Sequence, residues 1–240
     1  MSLADVVERV DAQLGVAVGP VLSGLPGAAP TVRDRAEQTT LPVLSALAAL
    51  FPGGVLRRGS TVAVSGSTAL ALTLLAAPSE AGAWCAVVGV PALGCRAATE
   101  LGVRLDRLAL IPSPGPRWAA AVAALFDGVD LVAVRPPGRV SSGESRRLMA
   151  RARERGTTLV PIGPWDGADL RLSVSDPQWT GISPDGRGRL RARRLLVHAN
   201  GRGAAARPRH TTLWLPAPQG GVTGAVDEPV QFPRLRSAAG

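Results

Sequence analysis

Residues 59–82, GSTVAVSGSTALALTLLAAPSEAG, hold the clearest chemical pattern of the chain. A β-branched strand, Thr61 to Val64, runs into Ser65-Gly66-Ser67-Thr68 and then into an apolar helix from Ala69 to Ala77. Strand, glycine loop and helix is the setting of a phosphate-binding loop, where backbone N–H groups at a helix N-terminus wrap phosphate oxygens. A working loop reads G-x-x-x-x-G-K-[ST]: the lysine reaches the phosphates and the hydroxyl holds Mg²⁺. Here the loop is about four residues too short and has no lysine. All 27 basic residues of the chain are arginine, so no lysine from elsewhere can stand in. The setting predicts nucleotide-binding ancestry. The residues predict no nucleotide hydrolysis, no bound cofactor or metal, and no catalytic side chain.

Other candidate chemistry is thin. His198 and His210 lie in basic C-terminal segments with no Ser or Cys nucleophile at a recognisable spacing, and read as structural or solvated. Cys85 falls inside an apolar run and reads as core. Cys85 and Cys95 show no metal-ligand spacing and suit a reduced cytoplasm. Ser67 and Thr68 are placed to cap the following helix, with a loosely held anion as the minor alternative. Trp118, Trp165 and Trp179 read as core before interface.

The elements that must position these residues alternate. Trp84 to Val88, Leu108 to Ile111, Asp130 to Val134 and Thr157 to Ile162 read as strands. Between them lie helices at Arg96 to Leu101, Arg117 to Phe126 and Ser142 to Arg155, and Leu41 to Phe51 reads as a further helix before the loop. Such alternation implies a mostly parallel twisted sheet flanked by helices. After Asp169 the pattern changes to strands and turns: Leu170 to Val174, Trp179 to Ser183, Gly188 to His198 and Thr211 to Leu215. That change predicts an antiparallel extension at one side of the sheet.

Length and composition set the limits. At 240 residues and 46% hydrophobic content, the chain can build one α/β core, although only 3% of it is aromatic. No apolar run reaches the roughly 18 residues that a membrane helix needs, and Asp5 and Glu8 stand where a signal peptide would carry basic residues. Ser2 to Leu14 reads as a capped amphipathic helix with Leu3, Val6, Val7, Val10 and Leu14 on one face, to be packed on its own domain or on another chain. A Gly/Pro-rich linker follows to Thr40, and residues 1–40 form one unit. The core spans 41–215, and 216–240 reads as a mobile tail.

In order of segments, Leu41 to about Leu215 resembles the RecA ATPase core. LPVLSALAALFPGGVLRRGSTVAVSG resembles the lead into that family's phosphate loop. WCAVVGVPALGCRAATELGVRLDRLALIPSPG resembles its next strand, helix and strand. DLVAVRPPG resembles the Walker B strand, and GTTLVPIGPW the strand that carries a sensor glutamine. Within the superfamily the chain is most similar to the actinobacterial RecA-like accessory proteins of the mutagenic translesion machinery, the ImuA-prime type. Carried over position by position, the resemblance finds no active residue. The lysine is absent between Gly66 and Thr68, the catalytic glutamate falls near Val90-Pro91, the Walker B aspartate falls on Arg135, and the sensor glutamine falls near Gly163-Pro164. An arginine at the Walker B position would repel Mg²⁺ rather than hold its water shell.

Charge is split along the chain. Residues 1–134 carry 9 arginines and 10 acids, whereas residues 135–240 carry 18 arginines and 8 acids. Arg187, Arg189, Arg191 and Arg193 recur at every second residue, so a strand would place all four on one face. Gly186 to Arg209 contains eight arginines and no acid. The strip is either a solvated edge strand guarded by charge or a contact surface for DNA phosphate or an acidic partner. A second basic set, Arg135, Arg139, Arg146 and Arg147, follows the Walker-B-like strand, where the RecA family leads into a DNA-binding loop.

The resemblance implies a cytoplasmic, non-enzymatic adaptor in damage-induced translesion synthesis and mutagenesis. It implies as partner an inactive Y-family polymerase-like protein, linked through it to an error-prone C-family polymerase. Direct DNA contact and self-association through the N-terminal helix are open, and no membrane is expected. Two other readings stand beside it: a RecA-derived cell-division inhibitor that caps a tubulin-like protein, and a weak DNA-dependent NTPase.

Overall fold

The computed structural model describes residues 39–183 and 187–225. The expected N-terminal helix and most of its linker lie outside them, as do residues 226–240. Chain order begins with β1 (Thr40–Leu41), β2 (Leu56–Arg57), β3 (Val62–Ser65), α1 (Thr68–Glu80), β4 (Cys85–Val88), α2 (Cys95–Glu100) and β5 (Leu108–Ile111). It continues with α3 (Trp118–Leu125), β6 (Leu131–Val134), α4 (Ser142–Arg155), β7 (Thr158–Pro161), β8 (Leu170–Ile182), β9 (Gly188–Gly201), β10 (Arg209–Trp214) and β11 (Thr223–Gly224).

Strands β5, β4, β6 and β7 lie side by side, all parallel. Parallel bridges Thr61 to Leu159 and Val64 to Ile162 carry the sheet from β7 to β3. Beyond β3, β8 is parallel, and β9, β10 and β11 are antiparallel in turn. The antiparallel extension expected after Asp169 is therefore present at one side.

The short parallel strands read as unbroken apolar runs because both faces are covered. Alternate side chains divide between two cores. Val62, Val64, Cys85, Val87, Leu131 and Ala133 meet α1 on one face. Ala63, Trp84, Ala86, Val88, Val132 and Val134 meet α3 and α4 on the other, where Trp118 and Trp165 pack edge to face at 6.4 Å. Helix α4 begins where Ser141 Oγ accepts the Glu144 N–H at 3.2 Å and ends at the left-handed Gly156, so its sequence punctuation sets both bounds. No helix among the described residues is long and apolar enough to cross a membrane.

Three expectations are corrected. Leu41 to Phe51 is not an α-helix: Thr40 and Leu41 pair with β2, and only Ser45–Leu50 coils, as a 3-10 helix. Pro42 and Pro52 each push the preceding residue towards extended backbone, and Leu44 offers no side-chain cap. The two strands on either side of Asp176-Pro177 are a single strand, β8, with a register shift between Ser175 and Gln178. There the turn-forming pair makes a bulge in place of a turn, with Asp176 at φ 49°. The segment read as the start of a mobile tail is packed as far as residue 225: Leu215 and Ala217 are buried, and β11 pairs with β10.

Cys85 is fully buried in β4, and burial, helped by the charge of Asp130, pushes its thiol well above the ordinary range. Cys95 is exposed at the start of α2. Thiolate is the reactive form. Iodoacetamide is therefore expected to label Cys95 in the native protein and Cys85 only after unfolding, which peptide mass spectrometry reads directly.

Candidate functional site: a phosphate loop held by two arginines

Strand β3 delivers Ser65 to the carboxyl end of the sheet, and Gly66 makes the turn at φ 81°, with Val174 packed beneath it. Ser67 then caps α1, its Oγ accepting the Leu70 N–H at 3.1 Å. In the pattern G-K-[ST], Ser67 stands at the lysine position and Thr68 at the metal-binding hydroxyl position. Set against that pattern, the loop has the glycine, a hydroxyl and the helix, and has no lysine.

Two cations arrive from elsewhere. Arg135 follows β6, where its N–H donates to the Val88 carbonyl at 2.9 Å. Its Nη2 donates to Thr68 Oγ1. Arg193, from β9, donates Nε to the Leu215 carbonyl at 3.0 Å and Nη2 to Ser67 Oγ at 3.3 Å. Its guanidinium also lies over the Trp179 ring, 5.2 Å from the centroid. Burial pulls the Arg193 proton affinity below the usual guanidinium range, which leaves the group cationic at neutral pH. Each of the two hydroxyls thus carries a guanidinium, and of the two arginines Arg135 lines the cavity at the loop.

Val64, Gly66, Ser67, Thr68, Arg135, Ile162 and Gly163 line an open cavity of about 280 Å³ at this loop. Its lining offers donors but no carboxylate or imidazole. Among the described residues, no group of three or more His, Cys, Asp or Glu could hold a metal ion. The ends of β4 and β7, where the resemblance seeks a glutamate and a glutamine, present Val90-Pro91 and Gly163-Pro164. The arrangement can hold negative charge, but its lining supplies no general base.

The arginines marked in the sequence do not form one cluster. Arg139, Arg146 and Arg147 are exposed, and the last two turn back on the Ser142 and Gly143 carbonyls of their own helix. The regular strip is interrupted. Arg187 precedes β9, and the ladder slips between Thr180–Ala192 and Ile182–Gly188. Gly181 and Gly188, at φ 105° and 115°, permit this slip, since a side chain on either would strike the facing backbone. Nor is β9 an edge strand along its length, since from Arg194 to Ala199 it runs between β8 and β10. Arg193, read as one of four equivalents, is half-buried and engaged with Ser67. That contact joins residues 126 positions apart, and no local spacing in the sequence signals it.

A parallel sheet flanked by helices, with a glycine turn and a capped helix at the carboxyl end of its central strand, gives this chain a RecA-like α/β fold. The crystal structure of the RadB recombinase superposes with a TM-score of 0.54, covering 76% of this chain and 97% of that chain at 15% identity, a likeness of fold. The family model described as the MT3502 N-terminal domain matches residues 49–167. The uncharacterized protein Rv3395c of Mycobacterium tuberculosis (strain ATCC 25618 / H37Rv) is 38% identical over 163 residues, which are 64% of this chain and 80% of that protein. The chain belongs to the family of Rv3395c.

Proposed function

We propose that this protein is a non-hydrolytic adaptor with a RecA-like core that serves damage-induced translesion synthesis in the cytoplasm. In this reading it assembles with an inactive Y-family polymerase-like protein, and through it with an error-prone C-family polymerase. The ImuA-prime resemblance supports the pathway and the partners. The observation that carries the non-hydrolytic part is the pair Arg135–Thr68 and Arg193–Ser67, arginines on both hydroxyls of the loop. An arginine on Thr68 opposes Mg²⁺ there, and turnover of a nucleoside triphosphate needs that ion to neutralise developing charge.

Steady-state turnover with ATP and Mg²⁺ is expected to stay at the buffer rate, with and without single-stranded DNA. DNA-stimulated turnover that disappears on Gly66→Asp would refute the adaptor reading. One observation favours a second reading, a weak NTPase: Arg193 places a guanidinium on Ser67, the residue that stands where the pattern has its lysine. Under that reading Mg²⁺-dependent ATP affinity appears in calorimetry and falls on Arg193→Ala. Capture of tagged protein from DNA-damaged cells tests the partners, and recovery of a tubulin-like division protein in place of polymerase subunits would favour the cell-division alternative. Deleting residues 1–15 is expected to weaken the assembly while the core stays folded. Burying three or four Val and Leu side chains is worth on the order of 5 kcal/mol before entropy losses. Unchanged solution mass and partner affinity would oppose that role.

A further inference from the structure

Beyond Gln178 and Arg194, β8 and β9 continue as a two-stranded ribbon. Strand β3 pairs with β8 only over Leu170 to Ser173, and β10 pairs with β9 only over Arg194 to Ala199. Among the described residues, no third strand pairs with 179–182 or 188–192. This projecting part has an unusual surface. Trp179 is 46% exposed although it is the bulkiest apolar side chain available to a core. It sits opposite Arg193, whose guanidinium lies against its ring. Arg191 lies on the same side, because its Cγ would stand 3.1 Å from a side-chain carbon added to Gly181. Arg189 and Arg191 are exposed and make no ion pair with any described residue.

Charge guards an unpaired ribbon edge against aggregation, but folding does not explain the exposed indole beside it. Like charges repel, and an exposed indole forgoes burial worth about 2 kcal/mol or more. Each feature has a use against nucleic acid. An aromatic face stacks on any unpaired base, with a contribution of ~1–3 kcal/mol. Arginine forks take phosphate oxygens two at a time. Arg193, fixed by Ser67 and the Leu215 carbonyl, braces one side of the indole and so holds it ready.

We propose that the projecting β8–β9 ribbon is a single-strand nucleic-acid-binding arm, in which Trp179 stacks on an unpaired base and Arg189 and Arg191 engage the neighbouring phosphates. This site is separate from the phosphate-loop cavity and does not depend on the adaptor reading. An acidic protein would also meet the arginines. It would have no use for a braced indole, and would be expected to bury Ile182 and Leu190, the other exposed large apolar side chains of the ribbon.

The test uses the full chain and fluorescence anisotropy with a labelled 30-nucleotide single strand and the duplex of the same sequence, at two salt concentrations. Single-strand affinity is expected to fall with salt with a slope near −0.7 per phosphate engaged. Arg189→Glu with Arg191→Glu should lower affinity at least tenfold and flatten the slope by more than one. Trp179→Ala should lower affinity about fivefold at an unchanged slope, and Trp179→Phe should recover most of it. Ile182→Ser with Leu190→Ser should leave it unaltered. Circular dichroism melting controls for folding, and the salt slope of the unaltered protein keeps the proposal falsifiable if a variant misfolds. It is overturned by any of three results: no salt-dependent single-strand binding by the unaltered protein, equal affinity in the charge-reversed variant, or duplex binding that ignores Trp179. Loss of a protein partner alone, with nucleic-acid binding intact, would also overturn it.

Discussion

Asp130→Ala is expected to destabilise the protein by about 3–5 kcal/mol, the usual loss when one partner of a buried ion pair is removed. Asp130 is fully buried at the entry to β6. Its Oδ1 accepts from Arg58 Nη1 at 2.7 Å and its Oδ2 from the Trp84 N–H at 2.8 Å. The Arg58 side chain is itself only 7% exposed. Truncation would leave a guanidinium and a backbone N–H without an acceptor inside the fold, with little water to replace it. The pair ties the segment before β3 to the starts of β4 and β6, so the loss should appear as global unfolding. Equilibrium urea denaturation measures it, and a loss below about 1 kcal/mol would contradict the assignment. Arg58→Met combined with Asp130→Asn should recover part of the loss, because no buried charge is then left alone and the amide oxygen still accepts from Trp84.

The fold was legible wherever local chemistry decides. Leu108–Ile111 and Ser142–Arg155 are found at the bounds read from sequence, since each is an apolar run between breakers or a helix with its own cap and left-handed stop. The loop at Ser65 to Thr68 was legible because a motif defect is local. The arginines that occupy it were only half legible. Arg135 could be placed by the order of segments, but its turn towards Thr68 could not. Arg193 was read by its spacing, whereas its place is set by β10 and the Leu215 carbonyl, which no window around residue 193 contains. The same limit applies to Trp179. A tryptophan is read as core unless it is known that β8 outruns β3 while β9 outruns β10, and that is a property of the assembled sheet.

Gly89→Ala should cost well above 3 kcal/mol, placing it among the severe single substitutions. Gly89 follows β4 at φ 74°, and its N–H donates to the Ile111 carbonyl at 2.9 Å. A methyl group there would fall far inside van der Waals contact of the Arg135 carbonyl oxygen, so backbone must yield. Left-handed backbone alone costs a non-glycine residue about 1–2 kcal/mol. Gly82→Ala separates the two effects. Gly82 has φ 88° and is exposed, and an added methyl group meets nothing within 4 Å. It should lose only the conformational share, about 1–2 kcal/mol. The difference between the variants then measures the clash at the ends of β4 and β6, where Arg135 leaves the sheet for Thr68. If the loop is held as described, Gly89→Ala should also loosen that contact, and amide exchange at residues 67–70 should accelerate beyond what the global loss explains. Equal destabilisation of the two variants would mean that β4 and β6 can part at this point without cost, and that Arg135 is not fixed by the sheet.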